Sequence, residues 1–298
     1  MTLNLHHLRV FAAVAEQGGF SRAAGVLRLS QPAVSKSVRE LERQVGAALF
    51  DRGGRAPRVT EAGAILFARA RELFAVERSA EEELRVLRGV EGGVLRVGAS
   101  TTVITYVLPP VLARFRAAHP GIVLRVASAN TREIARALLE RRVDVALVEG
   151  PVEDRRIEVV SWRTDELVVI CQPGHPFASR RTVGIPEVVA ESFIVRERGS
   201  GTRKVAEQAL AEHGVRLTVA MQLASTEAIK QAVAAGLGLA IVSRAAIADQ
   251  LALGRLAAVA IRGVPMRRAL NELRLIGSAQ STAAGAFRGM LGGRARGA

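Results

Sequence analysis

The 298 residues are too many for one comfortable hydrophobic core and suit two or three compact units. With 49% apolar and 23% charged residues, the chain has the balance of a packed globular protein, which sets aside disordered and fibrous polymers. A formal charge of +14 favours polyanionic partners and acidic ligands, although the arginines are spread along the whole chain and Lys36, Lys204 and Lys230 are its only lysines.

In chain order, Leu5, Leu8, Phe11, Ala12 and Ala15 recur at three- and four-residue steps and predict an amphipathic helix over residues 5–17, stopped by Gly18 and Gly19. Ser21 caps or opens a short helix to Leu27, with Ala23, Ala24 and Leu27 inward. After a turn at Arg28 and Leu29, Ser30 caps a third helix. Pro32 stands in its first turn, where a missing N–H costs nothing, and Val34, Val38, Leu41 and Val45 form its apolar stripe up to Gly46.

Residues 50–60 carry a Gly-Gly turn between short extended pieces and read as a β-hairpin wing holding Arg52, Arg55 and Arg58. Residues 61–88 contain no proline and place Leu66, Leu73, Ala80 and Leu87 seven apart, a coiled-coil-like seam that predicts pairing with another copy of the chain.

Beyond Gly92 and Gly93, strand-like and helical runs alternate in the rhythm of a mainly parallel sheet with crossover helices. A first lobe is expected over residues 92–162 with a return at 267–298, and a second over 163–266. The tail from Gly292, rich in Gly and Arg, is expected to be loose.

Two tight helices, small residues at their crossing and a polar second helix are the needs of a helix-turn-helix. With Val34, Val38 and Leu41 inward, Gln31, Ser35, Lys36 and Arg39 share the outer face as base and phosphate contacts. Ser21, Arg22, Ser30 and Pro32 beside them, and Arg52 and Arg55 of the wing, complete the candidate DNA-facing set.

In the second half, three hydroxyl-rich junctions stand where a strand enters a helix: Ser100-Thr101-Thr102, Ser200-Gly201-Thr202 and Ser225-Thr226-Glu227. Helix N-termini at the carboxyl ends of parallel strands favour anions. Each junction alone reads equally well as an ordinary N-cap. Arg196 could add a guanidinium clamp, with Arg203 a second donor, and Glu149 could either orient a clamp arginine or accept a backbone hydrogen bond.

The stretch FSRAAGVLRLSQPAVSKSVRELERQVGAALFDRGGRAPRVTEAG closely resembles the N-terminal domain of LysR-type transcriptional regulators, and the resemblance continues to about Leu291. It implies a multidomain chain: an all-α winged helix-turn-helix (residues 1–60), a long dimerising linker helix (61–91) and a two-lobed α/β effector domain (92–298) of the periplasmic-binding-protein kind. It further implies a dimer or, more usually, a tetramer on double-stranded promoter DNA, with RNA polymerase as a further partner.

By position, Gln31, Pro32, Ser35 and Lys36 fall where the family touches bases. Lys36 replaces the arginine of many relatives, which keeps the charge but changes the bidentate geometry. Ser100, Thr101 and Thr102 match the first-lobe effector wall, and Ser200, Gly201 and Thr202 the second. The runs from Arg196 to Arg203 and from Ala224 to Ser243 look most like the branch that regulates sulfur assimilation or carbon fixation. That points to sulfite, sulfate, phosphate or a phosphorylated or carboxylated metabolite as effector, with no cofactor.

Two other readings compete. A solute-binding protein would suit the two lobes alone, but residues 1–20 lack a secretory pattern and the N-terminal motif is foreign to it. An enzyme would need Cys171 or Ser200 as nucleophile. Cys171, the only cysteine, lies in an apolar run, no G-x-S-x-G elbow surrounds Ser200, and His6, His7, His119, His175 and His213 have no metal-ligand spacing. No apolar run reaches the ~18 residues of a membrane span. A cytoplasmic, non-enzymatic protein with no membrane partner is expected.

Overall fold

The computed structural model describes residues 2–51, 53, 57–87, 92–278 and 281–292. Its contacts divide it into two units, Met1–Glu81 and Glu82–Ala298. The expected loose tail past Gly292 lies outside the described residues.

In the first unit, Asn4 caps α1 (Leu5–Gln17) by accepting from the His6 and His7 amides. α2 (Phe20–Leu27) ends at Arg28, which takes the left-handed cap conformation at φ 54°. The Ser30 hydroxyl accepts from the Ala33 amide to start α3 (Gln31–Val45), with Pro32 in its first turn. Phe11, Ala23, Val34, Val38 and Leu41 are fully buried and join the three helices in one core. Burying each of the larger of these side chains stabilises the unit by roughly 1.5–3 kcal/mol.

The wing forms as β1 (Phe50–Asp51) paired antiparallel with β2 (Arg58–Val59). Glu42 of α3 fixes its base by accepting from the Leu49 and Phe50 amides at 2.9 and 3.3 Å. The Thr60 hydroxyl accepts from the Gly63 amide at 3.0 Å as α4 (Glu61–Leu87) begins. Gly63 is forced by contact: a Cβ there would stand 2.2 Å from the Leu49 carbonyl oxygen.

α4 turns Ala70 and Phe74 onto the helical core and leaves Ile65, Leu73 and Val76 exposed. Of the expected seam, Leu66 packs partly against this core, Leu73 and Ala80 are exposed, and the Leu87 side chain lies outside the described residues.

The second unit opens with β3 (Gly93–Ser100), a wide π-helical turn (Val103–Val107), α5 (Pro109–Ala118), β4 (Ile122–Ala129), α6 (Thr131–Leu139) and β5 (Val145–Glu149). β3 runs parallel to both β4 and β5. All of β5 is buried, the pattern of a strand covered on both faces. Phe115 and Phe287 pack on one side of this sheet and Ile134 and Leu138 on the other.

The chain then crosses on β6 (Ile157–Cys171) and continues through β7 (Thr182–Val183), α7 (Ile185–Val189), β8 (Ser192–Arg196), α8 (Gly201–Ala211) and β9 (Thr218–Leu223). It goes on through α9 (Thr226–Ala234), β10 (Ala240–Ser243), α10 (Ala248–Ala252) and β11 (Ala257–Ile261). It returns on β12 (Arg267–Leu275) and ends on α11 (Thr282–Leu291).

The main sheet has the order β4-β3-β5-β12-β6-β11-β7, with β10 also on β6, while β8 and β9 form a parallel pair. The expectation of a mainly parallel sheet holds at β3, β4 and β5 but fails at the centre, where β12 is antiparallel to both β5 and β6. The physical reason is that β6 carries the chain from one lobe to the other and β12 carries it back. β6 is one unbroken strand of 15 residues that contains both Trp162 and Arg163, so the two lobes share it.

Candidate functional sites

On α3, the buried side chains Val34, Val38 and Leu41 fix the opposite face outward. Gln31, Pro32, Lys36 and Arg39 are exposed and Ser35 is half-buried. Arg39 donates to the Ser35 hydroxyl at 3.2 Å, so these two lie as one patch. Ser21 is exposed in the first turn of α2 behind the cap residue Gly19, and Ser30 is itself the cap of α3. Arg22 donates to the Gly18 carbonyl at 2.8 Å and thereby braces the preceding turn. Arg52 and Arg55 lie outside the described residues.

In the second unit, the predicted effector residues fall into two clusters. The first surrounds the Glu149 carboxylate, which is buried at the end of β5. It accepts from the Ser100 hydroxyl and, at 3.3 Å, from the Thr202 hydroxyl, while the Glu149 carbonyl accepts from the Thr131 hydroxyl at 2.8 Å. Arg268 of β12 donates to Thr202 at 2.7 Å, stands 3.8 Å from Glu149 and pairs with Asp165 of β6 at 2.7 Å. Asp165 also accepts from Ser243 at 2.8 Å.

A hydroxyl has one proton. Those of Ser100 and Thr202 are committed to Glu149. Gly201 makes the contact possible, because a Cβ there would stand 1.9 Å from the Glu149 carbonyl oxygen. Of the two roles open to Glu149, it lies beside an arginine, but that arginine is Arg268.

The second cluster centres on Arg196 at the end of β8, whose side chain is 2% exposed. Its Nη1 donates to Thr226 and its Nη2 to Thr101, each at 3.0 Å. Both hydroxyls accept from the guanidinium, so their protons remain available to a third group. Nε and Nη2 also donate to the Glu197 carboxylate at 2.8 and 3.0 Å. Arg203 turns back to donate to the Arg196 carbonyl at 3.0 Å and to Gln222 at 2.8 Å, so it ties the end of β8 to β9.

Ser200 and Ser225 serve as N-caps of α8 and α9. Thr102 is buried at the start of the wide turn. Nearby, the Tyr106 hydroxyl donates to Glu227, which also pairs with Lys230 at 2.6 Å.

Residues 5–64 match the description "Bacterial regulatory helix-turn-helix protein, lysR family", and residues 88–296 match "LysR substrate binding domain". The chain belongs to the LysR family. It is 40% identical over 288 residues to the RuBisCO operon transcriptional regulator of Allochromatium vinosum, covering 97% of this chain and 95% of that one. It is 39% identical over 291 residues to the HTH-type transcriptional regulator YeiE of Escherichia coli, covering 98% and 97%.

Among solved structures, the regulatory domain of Synechocystis CcmR, in complex with 2-PG, is 30% identical with a TM-score of 0.63, over 67% of this chain and 96% of that one. Full-length OxyR from Pseudomonas aeruginosa matches the fold at a TM-score of 0.76 and 21% identity, over 98% and 94%. This LysR-family protein is therefore a DNA-binding transcriptional regulator with an effector-binding domain.

Two further features of the regulator bear on its chemistry. An open groove of about 690 Å³ runs between α6 and the start of α8, lined by Arg132, Arg136, Glu153, Arg198 and Lys204. It shares Ser200 and Gly201 with the predicted set but not Thr101, Arg196 or Thr226. This groove does not include the buried donors around Arg196, and it is such donors that can select a small ligand's charge. Cys171 is fully buried, and that burial, with Glu191 nearby, pushes its thiol up to about 11, away from nucleophilic use at neutral pH.

Among the described residues, no helix is long and apolar enough to cross a membrane. Sequence reasoning missed Arg268, Asp165 and Glu197. The signal for Glu197 was present in its position beside the clamp arginine, whereas Arg267 and Arg268 cannot be told apart without the strand register.

Proposed function

We propose that this regulator binds a small anionic effector through Arg196, Thr101 and Thr226 and passes that event to promoter DNA held by α3. The observation that carries the reading is a buried guanidinium with two threonine hydroxyls whose protons are free to donate. Binding of 2-PG to the related CcmR domain supports an effector of phosphorylated or carboxylated type, with sulfate, sulfite and phosphate as simpler members of the same chemistry.

Ser100, Thr102, Glu149, Ser200, Gly201 and Thr202 then act as the frame that sets the two sides of the cleft. Gln31, Ser35, Lys36 and Arg39 read bases and phosphates, with Ser21, Arg22, Ser30 and Pro32 lying alongside and Arg52 and Arg55 adding charge from the wing.

In this reading, residues 1–60 bind DNA, 61–91 join copies of the chain and 92–298 bind the effector. The exposed Ile65, Leu73 and Val76 of α4 support pairing into a dimer or a tetramer. Such an oligomer acts in the cytoplasm as a regulator and not an enzyme, and contact with RNA polymerase at the promoter is part of the proposal.

The test is calorimetric titration of the full chain with 2-phosphoglycolate, phosphate and sulfate, in the wild type and in Arg196→Ala, beside anisotropy on upstream DNA. Arg196→Ala is expected to lose the binding heat and keep its DNA affinity. Equal heats in the two proteins would remove Arg196 from the site.

A further inference from the structure

We propose that the Glu197 carboxylate is a built-in occupant of the effector's seat, and that effector binding displaces it from Arg196. This rests on the reading of Arg196 as the anion clamp and adds how that clamp is regulated.

Arg196 has five N–H donors, and four are in use. Two go to hydroxyl oxygens of Thr101 and Thr226, whose own protons stay available to donate. The other two, on Nε and Nη2, go to the two oxygens of one carboxylate, at 2.8 and 3.0 Å. That fork is the geometry in which arginine takes a carboxylate or phosphate, and it is the strongest bonding mode the guanidinium offers. An incoming anion that seeks the bidentate edge of Arg196 therefore meets Glu197 already there.

The neighbouring pairs explain why this carboxylate is the movable one. Glu149 is 2% exposed and accepts hydroxyls from both sides of the cleft, so its departure would leave the buried Ser100 and Thr202 hydroxyls without their acceptor. The Glu197 side chain is 18% exposed, against 2% for Arg196, so it borders water and can rotate out while the arginine stays.

The exchange leaves the guanidinium paired with an anion throughout. One carboxylate leaves for solvent, where it is well hydrated, and one anion enters. The released side chain has no other role at the clamp, while the effector gains the Thr101 and Thr226 protons that Glu197 does not use. Glu197 thus keeps a buried arginine paired when the cleft is empty and sets a threshold that only an anion with more than two acceptor contacts passes. Simple monoanions are excluded in favour of multidentate ones.

The experiment is calorimetric titration of the full-length protein with 2-phosphoglycolate, inorganic phosphate and sulfate, in the wild type, Glu197→Gln, Glu197→Asp, Arg196→Ala and Glu207→Gln. Glu197→Gln is expected to bind at least one of these anions about tenfold more tightly than the wild type, and to narrow the preference between 2-phosphoglycolate and sulfate. Glu197→Asp, with its charge kept on a shorter stem, falls between. Glu207→Gln removes the same charge from the partner of Arg203 and is expected to change affinity by less than about twofold, since exposed charges are screened.

Thermal unfolding checks the fold: Glu197→Gln melts lower without anion and shows a larger anion-induced rise than the wild type. Weakened binding in Glu197→Gln, in step with Arg196→Ala, would mean that Glu197 orients the clamp and is not displaced, and the proposal fails. Failure of Glu197→Gln to bind any of the three anions also overturns it. Unchanged affinity in both Glu197→Gln and Arg196→Ala would instead overturn the underlying reading of Arg196.

Discussion

The outer face of α3 and the surroundings of Arg196 treat polar side chains in opposite ways. On α3, Gln31, Lys36 and Arg39 stand in water, and the fold asks only that they point away from Val34, Val38 and Leu41. In the effector domain, Arg196, Glu149, Arg268 and Thr202 are nearly inaccessible, and each depends on a partner far away in sequence. The surface proposed to read DNA can be built from one helix and its period. The cleft proposed to read a small anion must be assembled from β3, β5, β6, β8, β12 and two helix starts, with every donor accounted for before a ligand arrives.

The comparison breaks most visibly at Arg268. Its side chain is 1% exposed and stands between Asp165 and Glu149, with Thr202 accepting from it. Arg268→Ala leaves two buried carboxylates without their cation, and the expected loss of stability is ~3–5 kcal/mol. Urea unfolding followed by the fluorescence of Trp162, the only tryptophan, reports on β6 directly. Adding Asp165→Asn and Glu149→Gln to Arg268→Ala is expected to recover part of the loss, because the stranded charges are then gone. A loss below about 1 kcal/mol for Arg268→Ala, the level of an exposed ion pair, would mean that the cluster is not held by its charges.

This difference decides how much could be read from the sequence. Helices α1 to α3 follow from the three- and four-residue spacing of Phe11, Val34, Val38 and Leu41 and from the caps at Ser30 and Gly46, and the wing follows from the Gly-Gly turn between two short extended pieces. The hydroxyl-rich junctions were also legible, because Ser200 and Ser225 carry the chemistry of an N-cap whatever lies opposite them. What they face was not. That Ser100 and Thr202 both serve Glu149, and that Thr101 and Thr226 both serve Arg196, depends on how β3, β5, β6 and β12 are ordered in one sheet and on the pairing of β8 with β9. The central antiparallel strands escaped for the same reason: β6 and β12 are paired across about a hundred residues of chain, with no turn between them to signal it.

On the exposed side of the comparison, Ser35→Ala together with Lys36→Ala is expected to weaken specific binding by ~1–3 kcal/mol for each good base pairing that the substitution removes. Stability should stay nearly constant, since neither side chain belongs to the core. Anisotropy on the regulator's upstream duplex against a scrambled one, over a salt series, separates base reading from phosphate binding. A weaker preference at constant salt slope marks Ser35 and Lys36 as base readers, and a shallower slope with preference intact marks Lys36 as a phosphate ligand. Unchanged preference and slope would move the reading face elsewhere on the first unit.

The smallest effect belongs to the backbone between α2 and α3. Arg28 holds φ at 54°, where a side chain is strained and glycine is not, and it does so to let the Leu29 amide reach the Ala24 carbonyl at 3.0 Å. Arg28→Gly relieves that strain but frees the unfolded chain, and the balance is expected to be a gain of ~0.5–1 kcal/mol. Hydrogen exchange at the amides of α2 and α3 would register it as a few-fold rise in protection. The same substitution removes a cation from the turn between α2 and α3, so a modest loss of non-specific DNA affinity should accompany the gain in stability. Increased protection with unchanged DNA affinity would show that Arg28 serves neither the fold nor the DNA. Decreased protection would mean that its side chain stabilises the turn by more than the strain its backbone costs.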